Sequence, residues 1–220
     1  GIFMAQSKIA QHWGLSALTI AIALGIVIGN TLYPHISHAC GAGVGIAKQQ
    51  LLRTGIVLYG LRITFQQIAG VGVTAILTDL LVLSSTFLLA YWLGTRIFKL
   101  DRDSVLLIGA GSSICGAAAV MATEPVVQAQ ASKVSIAVAT VVVFGTAGMF
   151  LYPMFYHLGT TLLPIFKNQN SYGVYVGSTI HEVAQVFAAG QAIGPKAADT
   201  AVIVKMIRVM MLAPFLLILS

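Results

Sequence analysis

Apolar residues gather in runs long enough to cross a bilayer, separated by short polar or glycine-rich breaks, and this pattern predicts about seven membrane segments of roughly 20 residues each. After a polar lead-in, Gly1 to Trp13, the first run spans 15–33 and is uncharged throughout. Tyr33, Pro34, His35 and His38 mark the interface at its end, and the glycines from Gly41 to Gly45 predict a turn. The second run, about 47–68, carries Lys48, Gln49, Gln50, Arg53 and Arg62, and the third, 71–93, holds Asp79. A charge-dense loop follows, with Arg96, Lys99 and Arg102 interleaved with Asp101 and Asp103. The fourth run is 104–130, the fifth 134–152, the sixth 172–193 and the seventh 200–219, with a polar and aromatic connection from Pro153 to Asn170. Residues 1–220 read as a single transmembrane helical domain.

The fourth run, SVLLIGAGSSICGAAAVMATEPVVQAQ, departs from a plain span. Gly109, Gly111 and Gly116 surround the hydroxyls of Ser112 and Ser113, and Glu124 sits against Pro125. Glycine weakens a helix interior by about 0.5 to 1 kcal/mol relative to alanine, and proline removes a donor, so a broken helix is expected. Irregular backbone at membrane depth survives only where protein buries it or where it lines a wet cavity, which makes the break a candidate binding site. A helix restarting near Ser112 or Ser113 would turn its N-terminal amides and hydroxyls toward an anion. The bland alternative is that the glycines only let helices pack closely.

A repeat supports the first reading. Shifted by 66 residues, Gly111-Ser112-Ser113-Ile114 falls on Gly177-Ser178-Thr179-Ile180, Ala118 on Ala184 and Val120 on Val186. The register continues through Ala131 on Ala197, Val138 on Val204 and Ala147 on Ala213, so a two-element unit occurs twice. Carriers built from repeats place substrate at the repeat interface, in discontinuous helices near the midplane. The stretches 111–114 and 177–180 are therefore expected to be non-helical or kinked and to lie close together near the bilayer midplane. Loop charges fix no orientation under simple alternation, with Lys8, Arg62, Lys133 and Lys196 facing Lys48, Arg96, Lys99, Arg102 and Lys167. A re-entrant hairpin at 104–130 would move every later loop to the opposite side.

Ionisable side chains within spans cost about 2.5 to 3.5 kcal/mol at the bilayer centre, so they face the bundle interior or a cavity and find partners. Arg53, Asp79, Glu124, Glu182, Lys205 and Arg208 are such residues, whereas Arg62 reads as a snorkelling side chain at a span end. If the second and third runs form an antiparallel hairpin about residue 68, Asp79 lies between Arg53 and Arg62, as a structural pair before a proton relay. Lys205 and Arg208 share a helical face, and two cations there invite an anion or a carboxylate from a neighbour. His181 and Gln185 share a face as i and i+4, with Glu182 beside them. A buried cluster of His181, Glu182 and Lys205 can be tuned to titrate near neutrality.

Composition narrows the class. Hydrophobic residues make up 58% and charged residues 8% of the chain, far from the soluble mix. The formal charge of +6 comes from single, scattered Lys and Arg with no basic stripe, which speaks against nucleic acid. Cys40 and Cys115 form neither a disulfide framework nor a metal knuckle. GAGSSICG has phosphate-loop spacing, but Ala117 stands where lysine is required, and Ile114 breaks GxGxxG. HEVAQ, residues 181–185, approaches the zinc-protease motif HExxH, but Gln185 replaces the second histidine.

LLRTGIVLYGLRITFQQI (Leu51 to Ile68), IGAGSSICGAAAVMATEPVV (Ile108 to Val127), VGSTIHEVAQV (Val176 to Val186) and KMIRVMMLAPFL (Lys205 to Leu216) resemble the YeiH family of bacterial inner-membrane proteins, described as sulfate exporters. The resemblance covers nearly the whole chain. It implies a bacterial inner-membrane location and kinship with inverted-repeat carriers of the bile-acid, arsenite and riboflavin kind, whose broken helices cross at the substrate site. Family members are longer, with a further hydrophobic segment before Leu15 and several after Ser220, so the resemblance implies truncation at both ends.

The expectation is an all-α, polytopic membrane protein with broken helices, part of an inverted-repeat, secondary-carrier-like fold. It would move a small anion, sulfate or a related sulfur oxyanion, coupled to a proton or sodium gradient, without enzymatic chemistry or cofactor. Gly111, Gly116, Ser112, Ser113, Ser178 and Thr179 would hold the anion, and Arg53, Lys205 and Arg208 would balance its charge. Glu124, His181, Glu182, Gln185 and Asp79 form the candidate coupling set. Its partners would be the lipid bilayer, the anion and the coupling ion, with a homo-oligomer left open. A channel or non-transporting membrane component, and an intramembrane hydrolase, are the alternatives.

Overall fold

The computed structural model describes residues 17–47, 54, 65–162 and 168–220. It is all-α, with no strand among the described residues, and divides into two units, Gly1–Gly70 and Val71–Ser220. The first contains α1 (Ala17–Thr31) and α2 (Tyr33–Ile46), separated by Leu32 alone. The turn expected at Gly41 to Gly45 is absent: α2 runs through these glycines. Pro34 sits in the first turn, where no N–H is needed, and helical glycine costs less than an unpaired amide in an apolar setting. The same preference carries α3 (Phe65–Trp92) through Gly70 and α6 (Ala131–Leu162) through Pro153, so neither the turn near residue 68 nor the connection from Pro153 begins where expected.

In the second unit α3 ends in a π-helical turn (Leu93–Ile97), and α4 (Arg102–Ser113), α5 (Ala117–Val127), α6, α7 (Gln169–Thr179), α8 (Val183–Ile193), α9 (Pro195–Met210) and α10 (Leu212–Leu219) follow. Among the described residues three stretches are long and apolar enough to cross a membrane: Ile76–Ile97, Ala131–His157 and Pro195–Leu219. Their exposed Leu81, Leu88, Val143, Phe144 and Leu217 are what lipid contact requires. By contrast α4, α5, α7 and α8 have 11 or 12 residues each. At 1.5 Å per residue that is about 17 Å, roughly half of a hydrocarbon core.

These short helices fold back in pairs. Tyr172 Oη on α7 donates to the carbonyl of Ala189 on α8 at 3.3 Å, although a straight helix would hold the two about 25 Å apart. Leu107 of α4 and Val120 of α5 share one buried cluster with Ala137, and a methyl added to Gly111 would lie 2.7 Å from Val120 Cγ2. The fourth and sixth runs are thus re-entrant helical hairpins, with tips at Ile114–Gly116 and Ile180–Glu182. Helix α6 is the spine of both. Its first half follows α4 and α5 from base to tip, with Lys133 at the base and Val141 against Gly111. Its second half follows the other hairpin from tip to base, with Gly148 beside Ile180, Tyr152 stacked on Tyr175 and Tyr156 on Tyr172. The hairpins therefore enter from opposite ends of α6 and meet tip to tip.

The 66-residue register reappears in the helix boundaries. Ser113 and Thr179 end the first arms, Ala117 and Val183 begin the second, and Val127 and Ile193 close them, each pair 66 apart. Each unit is a hairpin plus one crossing helix. One crossing per copy is an odd number, so the second copy stands inverted to the first, which explains the opposed hairpins.

Small residues hold the second hairpin against its crossing helix. Gly173 of α7 packs on Ala197 and Thr200 of α9, and Gly177 on Ala201 and Val204. A Cβ at Gly177 would lie 2.5 Å from the Ala201 carbonyl oxygen and 2.9 Å from Val204 Cβ, with backbone unable to yield. Gly177→Ala is expected to cost about 1 to 3 kcal/mol, read as a lowered melting temperature in detergent. An unchanged melting temperature would show that α7 can slide off α9 freely.

The first hairpin is clasped at its base instead. Lys133 Nζ donates to Asp101 Oδ2 at 2.6 Å and Asp103 Oδ2 at 2.9 Å, while Asp101 caps α4 through the Ser104 amide. Hydrogen bonds from Lys133, then from Ser104, pull the Asp101 carboxyl down to about 2. A depressed carboxyl stabilises the folded state above its ordinary value near 4 and loses that contribution as pH falls through about 2. Amide exchange at Ser104 should accordingly rise only in that acid window, and Lys133→Met should shift the window upward.

Candidate functional site

Where the two tips meet, the first arms, α4 and α7, end with their carbonyl dipoles pointing inward. α4 breaks at Ile114 (φ −117°, ψ −85°) and restarts after Gly116, whose φ of +68° and ψ of −134° suit glycine. α7 breaks at Ile180, and Glu182 is the residue before α8. Into this junction α9 projects Lys205, fully buried, whose Nζ donates to the Ile114 carbonyl at 2.6 Å and the Ile180 carbonyl at 2.8 Å. Its ammonium joins the two copies of the repeat at equivalent atoms. The C-terminal ends of α4 and α7 each carry about half a negative charge, which together compensate a buried cation.

The amide end of the first tip is also occupied. Glu182 Oε1 accepts from the Ala117 amide at 3.2 Å, at the N-terminus of α5. One turn beyond Lys205, Arg208 Nη1 donates to the Ser178 carbonyl, and its Nε stands 3.5 Å from Asp79 Oδ1 of α3. Asp79 and Arg208 are 0% and 1% exposed, so this pair lies outside the screening of solvent. Gln185 Nε2 donates to Thr146 Oγ1 on α6 at 3.1 Å. Among the described residues, Asp79 Oδ1 and Oδ2, Arg208 Nε, Ser178 Oγ, Thr123 Oγ1, His181 Nδ1 and Gln185 Oε1 are buried without a hydrogen-bond partner.

The structure gathers Gly116, His181, Glu182, Ser178, Lys205, Arg208 and Asp79 at or beside the tips. It rearranges several expected roles. Ser112, Ser113 and Thr179 lie on the last turns of α4 and α7, at the carbonyl ends rather than at a restarting N-terminus. Ser113 Oγ donates back to the Ala110 carbonyl and Thr179 Oγ1 to that of Tyr175, hydroxyls satisfied within their own helix. Residues 111–113 and 177–179 are helical, and the breaks begin at the following isoleucines. Pro125 lies inside α5, where it causes no break. Glu124, in the outer part of α5, stands about 12 Å from Gly116 along the helix, away from the tips. Asp79 stands against Arg208, and α3 runs unbroken through residue 68; Arg53 and Arg62 lie outside the described residues.

His181 and Glu182 precede α8, so the helical face that HExxH requires does not form. Sequence reasoning missed the backbone partners, the Ile114 and Ile180 carbonyls and the Ala117 amide, together with Thr146. The register pairs Ile114 with Ile180, but no side-chain pattern marks their carbonyls as partners of Lys205.

Among the described residues, three helical stretches able to cross a membrane, two opposed re-entrant hairpins and buried charge at their junction define a multi-pass helical membrane protein of broken-helix design. The chain belongs to the family described as Conserved hypothetical protein 698, whose model matches residues 1–220. It is 63% identical over 221 residues to a UPF0324 membrane protein of Pseudomonas aeruginosa, covering 100% of this chain and 62% of that one. It is 62% identical over 207 residues to the UPF0324 inner membrane protein YeiH of Escherichia coli, covering 94% of this chain and 58% of the relative. The chain thus spans about three-fifths of the length of these curated relatives. No solved structure matches it. It is a multi-pass protein of the bacterial inner membrane.

Proposed function

We propose that the protein is a secondary transporter of a small anion, coupled to an ion gradient and performing no covalent chemistry. The observation that carries this reading is Lys205 Nζ bonded to the carbonyls of both tips at once. Two short hairpins inserted from opposite ends bring the N- and C-terminal poles of four half-helices to one point at membrane depth, where a small ion can be held with little side-chain chemistry. The two hairpins of that junction come one from each copy of an inverted repeat. Rocking one copy against the other would expose the junction to each side in turn.

The positive side chains, Lys205 and Arg208, together with Gly116, Ser178 and the partly exposed Ser112, support an anion as cargo. Glu182 and His181 at the accessible edge, and Asp79 behind them, supply candidate proton acceptors. Sulfate or a related sulfur oxyanion comes from the family resemblance, since the relatives' names state no substrate.

The test is flux of radiolabelled sulfate, thiosulfate, sulfite and phosphate into liposomes holding the full-length protein under an imposed pH or sodium gradient. A carrier gives saturable, gradient-dependent uptake of at least one anion. Flux rising without saturation would point to a channel, and no flux of any anion under either gradient would overturn the reading.

A further inference from the structure

The buried charges at the junction are already matched one to one. Lys205 is compensated by the carbonyl ends of α4 and α7 through Ile114 and Ile180, Arg208 by Asp79, and Glu182 by the amide end of α5 at Ala117. An anion entering this site brings a charge with no counterpart, and an uncompensated charge in a buried position is costly. The site therefore has to gain positive charge as the anion binds. A proton can supply it on a side chain already present, without a further ion site and without displacing a cation already in place.

Three groups could take it; His181, whose Nδ1 also lacks a partner, faces the Lys205 and Arg208 cations, which oppose a positive charge there, and geometry separates the two carboxylates. Glu182 Oε1 is engaged by the Ala117 amide and would lose an acceptor's charge-assisted bond on protonation. Asp79 is held by side chains instead, the Arg208 guanidinium at 3.5 Å and the Ser178 hydroxyl beside it, so a proton placed there frees a cation and leaves the main-chain bonds of the tips intact. Around Asp79 stand Arg208 and Lys205 from α9 and Ser178 from the end of α7, with Cys115, Glu182 and His181 beyond them against the two cations. The Ser178 hydroxyl, which faces the carboxylate, can turn from donor to acceptor when the acid proton arrives. Neutral Asp79 leaves Arg208 as a free counter-charge next to the second tip, held by its bond to the Ser178 carbonyl.

We infer that Asp79 takes up a proton from solvent as the anion binds, and that Arg208, released from it, becomes the counter-charge of the anion. Proton and anion then travel together, and the step forms one O–H bond on the carboxylate and breaks none in the protein. The inference rests on the anion-carrier reading and adds to it the identity and location of the coupling ion.

The experiment is calorimetric titration of the full-length protein with sulfate and thiosulfate, neither of which is protonated in the neutral range, in two buffers of equal pH and unlike ionisation enthalpy. The wild type should take up one proton for each anion bound, with affinity rising about tenfold for each unit fall in pH. Asp79→Asn should bind with no proton uptake and with an affinity that no longer depends on pH. Glu182→Gln should keep the uptake, and this arm stands if Asp79→Asn does not fold. Uptake retained in folded Asp79→Asn, or lost in Glu182→Gln, would overturn the assignment to Asp79. Anion binding without any proton uptake in the wild type would overturn this inference alone, whereas no binding of any anion would overturn the carrier reading with it.

Discussion

Lys205→Met should abolish transport and lower the melting temperature of the protein. Methionine keeps most of the side-chain volume on α9, so packing against α7 is nearly preserved, but it has no proton to give. The carbonyls of Ile114 and Ile180, both buried and both donor-satisfied only through Nζ at 2.6 and 2.8 Å, would be left with nothing in their place. Each orphaned buried acceptor costs about 1 to 3 kcal/mol, and the dipole ends of two helices would then repel across the gap. The tips should separate, seen as faster amide exchange at Ala117, whose bond to Glu182 spans the same junction. A Lys205→Met protein with wild-type melting and wild-type flux would show that the tips are held by packing alone. Loss of flux with unchanged melting and exchange would instead give Lys205 a role in binding the anion and none in holding the junction.

That Lys205 and Arg208 act together was legible from their spacing on one helical face, and the glycine-serine repeat located both tips to within three residues. What the sequence did not show is where each partner comes from. Lys205 is satisfied by main-chain oxygens, and a carbonyl has no signature in a list of side chains. Asp79 meets an arginine on the last crossing helix, and only the folding of two inverted copies onto each other brings them level. The direction of the chain after each break was equally hidden. A broken span and a re-entrant hairpin have the same hydropathy, and the difference lies in a few dihedral angles at Ile114 and Gly116 and in whether each arm is long enough to cross. The hydroxyls were misplaced for the same reason: once the chain turns back after Ile114, Ser112 and Ser113 belong to the end of one helix and not to the start of the next. The interrupted helices expected from glycine and proline elsewhere failed to appear because apolar surroundings penalise an open backbone more than a glycine penalises a helix.

Arg208→Met should be the most destabilising single change in the junction. Arg208 is 1% exposed and Asp79 0%, and removing the cation leaves a buried carboxylate without solvent and without its guanidinium partner. Breaking a buried pair from one side typically costs about 3 to 5 kcal/mol, and here the Ser178 carbonyl also loses its donor. Asp79→Asn combined with Arg208→Met removes both charges, so the double variant should be more stable than the sum of the two single losses predicts, by about 0.5 to 3 kcal/mol. The measurement is a double-mutant cycle on the purified protein, by equilibrium unfolding in a fixed detergent. Recovery on adding Asp79→Asn would establish that α3 and α9 are joined by charge across the 3.5 Å contact. Strictly additive losses would mean that the two side chains do not sense each other, and that Asp79 finds its compensation from Lys205 or from the helix ends instead.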